Sequence, residues 1–291
     1  MTTATTVKLL KSKTLNIILA VTACLLLALY LFLAPRFHPN LVNQIAFHPA
    51  PEPADAEEYL KQFAAERLTI DNRISALFFK NPGSNLVCIY SHGNADSMVY
   101  RAYKAEALRA AGLSVLMYDY SGYGKSLGKP SFSVVAEDGK AVYDYLVNSM
   151  HYKPNQIVLY GESIGGGVTS EIARHGDSCA LILDSTFLAP ATWAKDRIAA
   201  LHIFPEQLIL APSLSVEALF PAYKSAVLVV KPGNDQVIPT THSDRLFALA
   251  QGQKTLVTLP HSPHGIVDSS DVELYKNTLK TFVSKYLLAH H

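Results

Sequence analysis

The architecture of this chain follows from the segment Leu159-Tyr160-Gly161-Glu162-Ser163-Ile164-Gly165-Gly166-Gly167. An apolar run at 157–160 ends in Gly-x-Ser-x-Gly, and a run that can form a helix follows at 168–174. Between a strand and a helix, this pattern predicts a nucleophile elbow, in which a serine sits on a sharp turn. Glycines two positions before and after the serine remove side chains that would collide in the turn. We therefore expect Ser163 to project its hydroxyl from the end of a sheet.

Candidates for an acid and a base follow downstream, each just after an apolar run that predicts a strand. A serine hydroxyl is a poor nucleophile at neutral pH, so a base must take its proton and an acid must orient the base. The run 226–230 leads into the loop that carries Asp235, and the run 255–259 leads into the loop that carries His264. The order Ser, Asp, His is the one expected downstream of such an elbow. Ser163, Asp235 and His264 are therefore the predicted catalytic residues.

Two further runs, taken together with the elbow, carry a resemblance to a known family. They are Tyr90-Ser-His-Gly-Asn-Ala95 and Tyr118-Asp-Tyr-Ser-Gly-Tyr-Gly-Lys-Ser126, the latter followed by Gly128-Lys-Pro-Ser131. Jointly these motifs resemble the α/β-hydrolase superfamily, and within it the serine hydrolases that include membrane-associated protein depalmitoylases and related lipases. The resemblance covers residues 68–288. It implies Ser-Asp-His esterase chemistry on acyl substrates and leaves the acyl group open.

The resemblance also implies an oxyanion hole. His92-Gly93-Asn94 corresponds to the turn after the third strand of the family, where the backbone N–H of Asn94 would be one donor. The N–H of Ile164, directly after the nucleophile, would be the second donor. Each such donor lowers the barrier by about 3 kcal/mol, since it stabilises the negative oxygen of the tetrahedral intermediate.

An alternative acid and an alternative base stay open at this point. Asp184 also ends a predicted strand, but Gly233-Asn-Asp235 after an apolar strand matches the family motif better. His261 competes with His264, and Pro263 precedes His264 where a glycine is usual in such families. Because His261 follows Pro260 almost at the strand end, His264 has more loop with which to reach Ser163.

The fold class predicted from the alternation of elements is α/β. Strands at 86–91, 114–118 and 180–184 alternate with helices at 98–111 and 134–148, which implies a mostly parallel central sheet with helices on both faces. Before it, residues 55–67 can form a short helix and residues 67–80 read as two strands. The resemblance implies the α/β-hydrolase version of this fold.

The alternation breaks at residues 188–223. This stretch carries helix-compatible segments at 192–201 and 205–211 with large apolar side chains. In the superfamily an insertion here usually forms a small helical cap over the nucleophile. We therefore expect Trp193 and Leu208 to line an acyl-binding site, with plain core packing as the alternative.

The amino-terminal part predicts a membrane anchor. Residues 14–34 carry no charge, and about 20 such residues suffice to cross a bilayer. Basic residues flank the run, namely Lys8, Lys11 and Lys13 before it and Arg36 after it. The positive-inside rule then predicts a single-pass protein with residues 1–13 in the cytoplasm and the catalytic domain on the non-cytoplasmic side. A cleaved signal peptide is the alternative, although the run is longer than a usual signal.

Residues 35–55 are rich in proline, with Pro35, Pro39, Pro49, Pro51 and Pro53. Proline at this density disfavours helix and sheet alike. We therefore expect a stiff extended linker, either packed on the surface of the domain or free of it, followed by a hydrolase domain at 56–291. Deletion of residues 1–34 should on this view release a soluble enzyme.

Composition limits the classes of partner. The 291 residues are 49% hydrophobic and 17% charged, with a net charge of +1, which gives no reason to expect a nucleic-acid partner. The 3 cysteines are too few and too widely spaced for a disulfide framework or a zinc cluster. Gly124-Lys125-Ser126 looks like the end of a phosphate-binding loop, but the glycine required five positions earlier is Asp119. We expect neither a cofactor nor a metal.

Two functions of different class agree with these motifs. The first is a membrane-anchored serine hydrolase that cleaves an ester or thioester of a lipid, a lipidated protein or a small acyl compound. The second is a hydrolase fold retained for binding or scaffolding, without turnover. A serine peptidase on the same fold is a third reading, which would require a pocket for a peptide terminus. The hydrolase is favoured because nucleophile, acid, base and oxyanion turn occur in the required order.

Overall fold

The apolar runs of the chain form an eight-stranded sheet, and two short strands form a separate sheet. The computed structural model describes residues 3–286, with side chains from Leu15 onward. Lys8, Lys11 and Lys13, which set the expected orientation in the membrane, lie outside the described side chains. The last residues of the expected 56–291 domain, 287–291, also lie outside the description.

The strands of the described chain are β1 (His48–Pro49), β2 (Glu66–Ile70), β3 (Ile74–Phe79), β4 (Val87–Ser91), β5 (Ala95–Asp96), β6 (Ser114–Tyr118), β7 (Ile157–Glu162), β8 (Ala180–Asp184), β9 (Ala226–Pro232) and β10 (Lys254–Leu259). The large sheet has the order β10-β9-β8-β7-β4-β6-β3-β2. The strands from β10 to β6 in this order are parallel, and β3 and β2 add an antiparallel edge. Every residue of β4, β6, β7 and β8 is buried, as expected for parallel strands covered on both faces.

The α-helices of the described chain are α1 (Thr3–Leu33), α2 (Pro39–Ala46), α3 (Ala56–Lys61), α4 (Ala102–Ala110), α5 (Phe132–Asn148), α6 (Ile164–His175), α7 (Pro190–Arg197), α8 (Glu206–Ile209), α9 (Thr241–Leu249) and α10 (Val272–Tyr286). Short 3-10 turns lie at Pro35–Phe37, Met98–Arg101, Pro154–Gln156, Ala199–Ile203 and Ser269–Asp271. Helices α5, α6 and α9 contribute to the apolar core on one face of the sheet. Helices α4 and α10 contribute to the core on the other face. This is the doubly covered, mostly parallel sheet predicted from the sequence.

Residues 35–53 pack on the sheet domain and form a 3-10 turn, a helix and a short strand there. A 3-10 turn forms at Pro35–Phe37, Pro39 begins α2, and β1 pairs with β5 in parallel. The expectation of an extended linker is wrong because a proline in the first turn of a helix loses no hydrogen bond and already has a helical φ. Phe47, after α2, is 4% exposed and packs against Phe132 with ring centroids 5.2 Å apart.

Helix α1 carries the apolar run near the amino terminus. Its segment Leu15–Leu33 is long and apolar enough to cross a bilayer, with a mean hydropathy of 2.5, and all its side chains but that of Tyr30 are exposed. By length and composition this helix fits a membrane anchor or a signal sequence. Its end touches the cap, where the ring of Tyr30 stacks on Phe204 with centroids 4.9 Å apart.

Candidate active site

Ser163 lies on the turn between β7 and α6, with φ 55° and ψ −120°. This is a strained conformation for a residue with a side chain. A Cβ on Gly161 would lie 2.5 Å from the carbonyl oxygen of Gly165, and a Cβ on Gly165 would lie 2.0 Å from the carbonyl oxygen of Ser91. The backbone can therefore close this tightly only because both positions are glycine. The turn has the sharpness that the Gly-x-Ser-x-Gly pattern predicts.

A chain of hydrogen bonds runs from Ser163 to an aspartate. Ser163 Oγ lies 2.9 Å from Nε2 of His264, and Nδ1 of His264 lies 2.8 Å from Oδ2 of Asp235. Oδ1 of Asp235 accepts the backbone N–H groups of Val237 and Ile238, both at 2.8 Å, which fixes the carboxylate. The loops after β9 and β10 deliver the acid and the imidazole to the same sheet edge as the elbow. The structure thus brings together the three residues that the sequence predicted.

The two rival residues point elsewhere. The carboxylate of Asp184 lies beneath the elbow, where its Oδ2 accepts a hydrogen bond from Nζ of Lys104 at 2.7 Å. The ring of His261 is 64% exposed, and its Nδ1 lies 3.1 Å from Oδ1 of Asp271. Geometry therefore favours Asp235 as the acid and His264 as the base.

The turn after β4 approaches the elbow closely. A Cβ on Gly93 would lie 3.5 Å from Cβ of Ser163. Nδ1–H of His92 donates to the carbonyl oxygen of Gly93 at 2.7 Å, and burial lowers the pKa of His92 to about 4, so the ring is neutral at pH 7. Asn94 and Ile164 border the same cavity as Ser163. Their position suits the two N–H donors expected of an oxyanion hole.

A cavity of about 340 Å³ opens above Ser163, and we call it the cap cavity. Its lining is mostly apolar, and most of it comes from three parts of the chain. The cap supplies Trp193 and Leu201, the acid loop supplies Val237 and Ile238, and the amino-terminal segment supplies several more side chains. Small-molecule sites commonly have this size and this apolar character.

The structure separates the two cap residues expected to bind substrate. Trp193 borders the cap cavity, and its Nε1–H donates to the carbonyl oxygen of Val237 at 3.0 Å, which ties the cap to the acid loop. Leu208 packs instead against the small cluster that contains Phe204 and Ile209. Helix α8 is only one turn long, and Ile209 is the residue of this helix that borders the cavity.

A buried ion cluster, which the sequence did not predict, lies directly under the elbow. Nζ of Lys104 donates to Oε2 of Glu162 and to Oδ2 of Asp184, both at 2.7 Å. Nε of Arg101 donates to Oε1 of Glu162 at 3.1 Å. The side chain of Lys104 is 0% exposed and that of Glu162 is 1% exposed. Glu162 immediately precedes Ser163, so the cluster anchors the residue next to the nucleophile.

The charges of this cluster support one another. Burial would raise the pKa of Glu162, but the cations of Lys104 and Arg101 hold it well below its usual range. Burial would likewise lower the pKa of Lys104, but the carboxylates of Asp184 and Glu162 raise it well above its usual value. Both groups therefore stay charged at neutral pH. In the low-dielectric interior, the attraction between the two opposite charges offsets the cost of removing each from water.

The sequence of this chain is similar to a known family and to several known proteins. A family model described as "Serine aminopeptidase, S33" matches residues 83–216. An uncharacterized protein of Mycobacterium tuberculosis is 32% identical over 207 residues, which cover 70% of this chain and 71% of that protein. The Escherichia coli protein YfhR is 30% identical over 251 residues, which cover 81% of this chain and 84% of that protein.

Solved structures resemble the fold at lower identity. An esterase of Pyrococcus furiosus is 16% identical with a TM-score of 0.64, covering 83% of this chain and 98% of that one. An α/β hydrolase of Vibrio vulnificus is 17% identical with a TM-score of 0.67, covering 85% of this chain and 92% of that one. The chain belongs to the α/β-hydrolase superfamily, and this membership supports a hydrolase activity.

Proposed function

We propose that this chain is a membrane-anchored serine hydrolase that cleaves carboxylic ester or thioester bonds of acyl substrates. Ser163 is the nucleophile, His264 the base and Asp235 the acid that orients it. The observation that carries this proposal is the hydrogen-bonded chain of these three residues, with distances of 2.9 and 2.8 Å, at the floor of an apolar cavity.

The proposed reaction proceeds through an acyl-enzyme. His264 Nε2 takes the proton of Ser163 as Oγ attacks the acyl carbon, and Asp235 stabilises the resulting imidazolium. The backbone N–H groups of Asn94 and Ile164 stabilise the negative oxygen of the tetrahedral intermediate. The imidazolium then protonates the departing alcohol or thiol. A water molecule, activated by His264, cleaves the acyl-enzyme in the same way and regenerates the serine.

The lining of the cap cavity favours an acyl chain over the ammonium terminus of a peptide. Among the described side chains that border it, none is aspartate or glutamate, so the ammonium group of a peptide would meet no carboxylate there. An unpaired charge in an apolar site costs several kcal/mol. A hydrocarbon chain carries no charge that needs a partner, and it gains stability by burying apolar surface in the cavity. This argues for esterase or thioesterase chemistry over aminopeptidase chemistry.

The membrane part of the proposal is supported by helix α1. Its residues Leu15–Leu33 have the length and hydropathy of a membrane span. The positive-inside rule, applied to the flanking lysines, favours a catalytic domain on the non-cytoplasmic side.

Labelling with a fluorophosphonate probe tests the proposed chemistry, since only an activated serine reacts. The full-length protein should be labelled and should hydrolyse p-nitrophenyl esters. Ser163→Ala should remove the labelling and lower the hydrolysis rate by about 10³-fold or more, because the nucleophile is lost while alanine fits the turn. Ser133→Ala, at an exposed serine on α5, is the matched control and should leave both unchanged. Absence of labelling in the unmodified protein would favour the scaffold, and persistent labelling of Ser163→Ala would refute the assigned nucleophile.

A further inference from the structure

The amino-terminal segment forms one wall of the cap cavity. Leu33 ends α1, and Leu41 and Ile45 lie on α2, yet all three border the same cavity as Ser163. They are also strongly exposed, at 57%, 57% and 64%. Across the cavity, Ile198 and Val237 combine the same two properties, with exposures of 50% and 40%. A side chain that borders a cavity and also meets solvent lies at its mouth, and we call these five residues the rim.

The membrane helix is held firmly against this mouth. Tyr30 Oη donates to the carbonyl oxygen of Ile203 at 2.8 Å, and Nη1 of Arg36 donates to the carbonyl oxygen of Gln207 at 2.7 Å. Ala34 is fully buried in the small cluster of the cap. These contacts join the end of α1 to the cap without a loose connection. The rim therefore has a fixed position relative to the helix.

Helix α2 is tied in turn to the oxyanion turn. The side-chain Nδ2 of Asn94 donates to the carbonyl oxygen of Ala46 at 3.0 Å, and the backbone N–H of His48 donates to the carbonyl oxygen of Asn94 at 3.0 Å. The segment that carries Leu41 and Ile45 is thereby fixed between the membrane helix and the catalytic centre.

The end of the membrane span coincides with the rim. The span Leu15–Leu33 has 19 residues. At 1.5 Å per residue it is about 28 Å long, close to the ~30 Å of a bilayer's hydrocarbon core. Its last residue, Leu33, is itself a rim residue, so the mouth of the cavity lies at the boundary between hydrocarbon and water. Phe37, four residues after Leu33, and Ile203, whose carbonyl oxygen accepts a hydrogen bond from Tyr30 of α1, are further exposed apolar side chains, at 56% and 66%. Contiguous exposed apolar surface of this kind marks an interaction site.

We propose that the rim rests on the lipid bilayer and that the cap cavity takes its acyl chain directly from the membrane. The inference builds on the proposed hydrolase function and narrows its substrate class to acyl esters or thioesters whose chain is embedded in a bilayer. The scissile bond would stand at the membrane surface, over Ser163, while the hydrocarbon chain enters between α2 and the cap. Segment 33–46 then determines specificity in addition to connecting the anchor to the enzyme.

The single tryptophan of the chain, Trp193, is a built-in reporter, because it borders the cap cavity. The full-length Ser163→Ala protein is reconstituted into phosphatidylcholine vesicles with or without bromine on the acyl chains. Bromine should quench the emission of Trp193 if acyl chains enter the cavity. The double change Leu41→Glu and Ile45→Glu should restore most of the emission, since it places charge on the rim. Leu274→Glu, at a 44% exposed leucine of α10, is the matched control and should leave the quenching unchanged.

Turnover gives a second, independent readout on the enzyme with Ser163 intact. The rate on p-nitrophenyl palmitate held in phosphatidylcholine vesicles is divided by the rate on p-nitrophenyl acetate in solution. The double rim change should lower this ratio about ten-fold or more, because an apolar contact site discriminates between chains by this order. Leu274→Glu should leave the ratio unchanged.

The outcomes separate the inference from the function beneath it. Failure of the unmodified enzyme to react with a fluorophosphonate probe would refute the proposed hydrolase. Normal probe labelling with equal Trp193 emission in both kinds of vesicle, or with an unchanged rate ratio in the double variant, would refute the membrane-facing cavity alone. A rim change that instead dissociates a dimer in detergent, seen by light scattering, would assign the rim to a second copy of the chain and also overturn the inference.

Discussion

The imidazole of His264 touches both the nucleophile and the acid. Its two nitrogens lie 2.9 Å from Ser163 Oγ and 2.8 Å from Asp235 Oδ2. Nδ1–H donates to the carboxylate, which leaves the lone pair of Nε2 free to accept the serine proton. The acid in turn is held by two backbone N–H groups. The tautomer and the direction of the ring are thus fixed before any substrate enters.

This geometry predicts opposite results for two histidines on one loop. His264→Ala should lower kcat by about 10³-fold or more, since the proton acceptor of the triad is lost. His261→Ala should change kcat by less than about three-fold, because His261 bonds to Asp271 near the surface and the fold tolerates its loss. Stopped-flow or steady-state hydrolysis of a p-nitrophenyl ester measures both, with circular dichroism as a check on folding. An inactive His261→Ala protein beside an active His264→Ala protein would show that the base has been misassigned.

At the residue scale, the sequence predicted the candidate catalytic side chains, because each follows a strand and the three occur in the order Ser, Asp, His. Ser163, Asp235 and His264 each stand in a loop after an apolar run, so their convergence at one sheet edge could be derived. Lys104 could not be found in this way. It lies in α4 between Tyr103 and Ala105, where the sequence alone predicts a solvated lysine, and its burial depends on how α4 packs on the sheet.

At the scale of elements, the cluster around Lys104 joins α4 to the ends of β7 and β8. The ammonium group bonds to Glu162 at the end of β7 and to Asp184 at the end of β8. Asp184 extends the chain of contacts, because Ser185 Oγ donates to it and accepts the N–H of Gly265, next to His264. The cluster therefore supports the elbow and the histidine loop together.

Removal of the Lys104 ammonium group should lower the free energy of unfolding. Lys104→Met would leave two buried carboxylates without their shared cation, and breaking a buried ion pair from one side destabilises by about 3–5 kcal/mol. Lys125→Met removes a lysine that is 48% exposed and paired with Glu57 at the surface, where the cost is about 0–1 kcal/mol. Thermal unfolding of both full-length variants in detergent measures the difference. Equal melting temperatures for the two variants would mean that the buried cluster contributes little to stability.

Element boundaries were predictable where the apolar pattern was strong. The predicted strands at 114–118 and 180–184 have the observed bounds of β6 and β8. Helix α2 was missed because proline was taken to exclude a helix, whereas Pro39 occupies the position where its missing N–H costs nothing. Leu208 was expected at the cavity from the large apolar side chains of residues 205–211. The helix there has only one turn, so the sequence carries no periodicity from which the side facing the cavity could be derived.

At the scale of the whole molecule, the end of α1, the cap and the sheet domain meet around one cavity. The family motifs fix the sheet and the elbow, so the fold class could be derived from residues 86–264. The packing of the amino-terminal segment on the cap depends on tertiary contacts such as that of Tyr30 with Phe204. No spacing of residues in the sequence predicts such contacts. Removal of α1 would uncover Phe204, on which Tyr30 stacks. This contact supports the retained anchor of the proposed function, because a cleaved signal would lose it.

Two truncations of the chain distinguish a connecting linker from a structural wall. A protein that begins at Tyr30 loses most of the span but keeps the contacts of Tyr30, Ala34 and Phe47. A protein that begins at His48 loses them all. Because Phe47 is 4% exposed in the core, its loss alone should lower the free energy of unfolding by about 3–5 kcal/mol relative to the longer protein.

Urea unfolding of the two truncated proteins measures this difference, and hydrolysis of p-nitrophenyl acetate checks that each retains an assembled triad. The protein that begins at His48 should also show a smaller ratio of the rate on long acyl esters to the rate on short ones, since the wall formed by Leu41 and Ile45 is gone. If both proteins unfold at the same urea concentration and show the same chain-length preference, residues 30–47 only connect the membrane helix to an independent domain. If the shorter protein is less stable and less selective, this segment belongs to the fold and to its binding site.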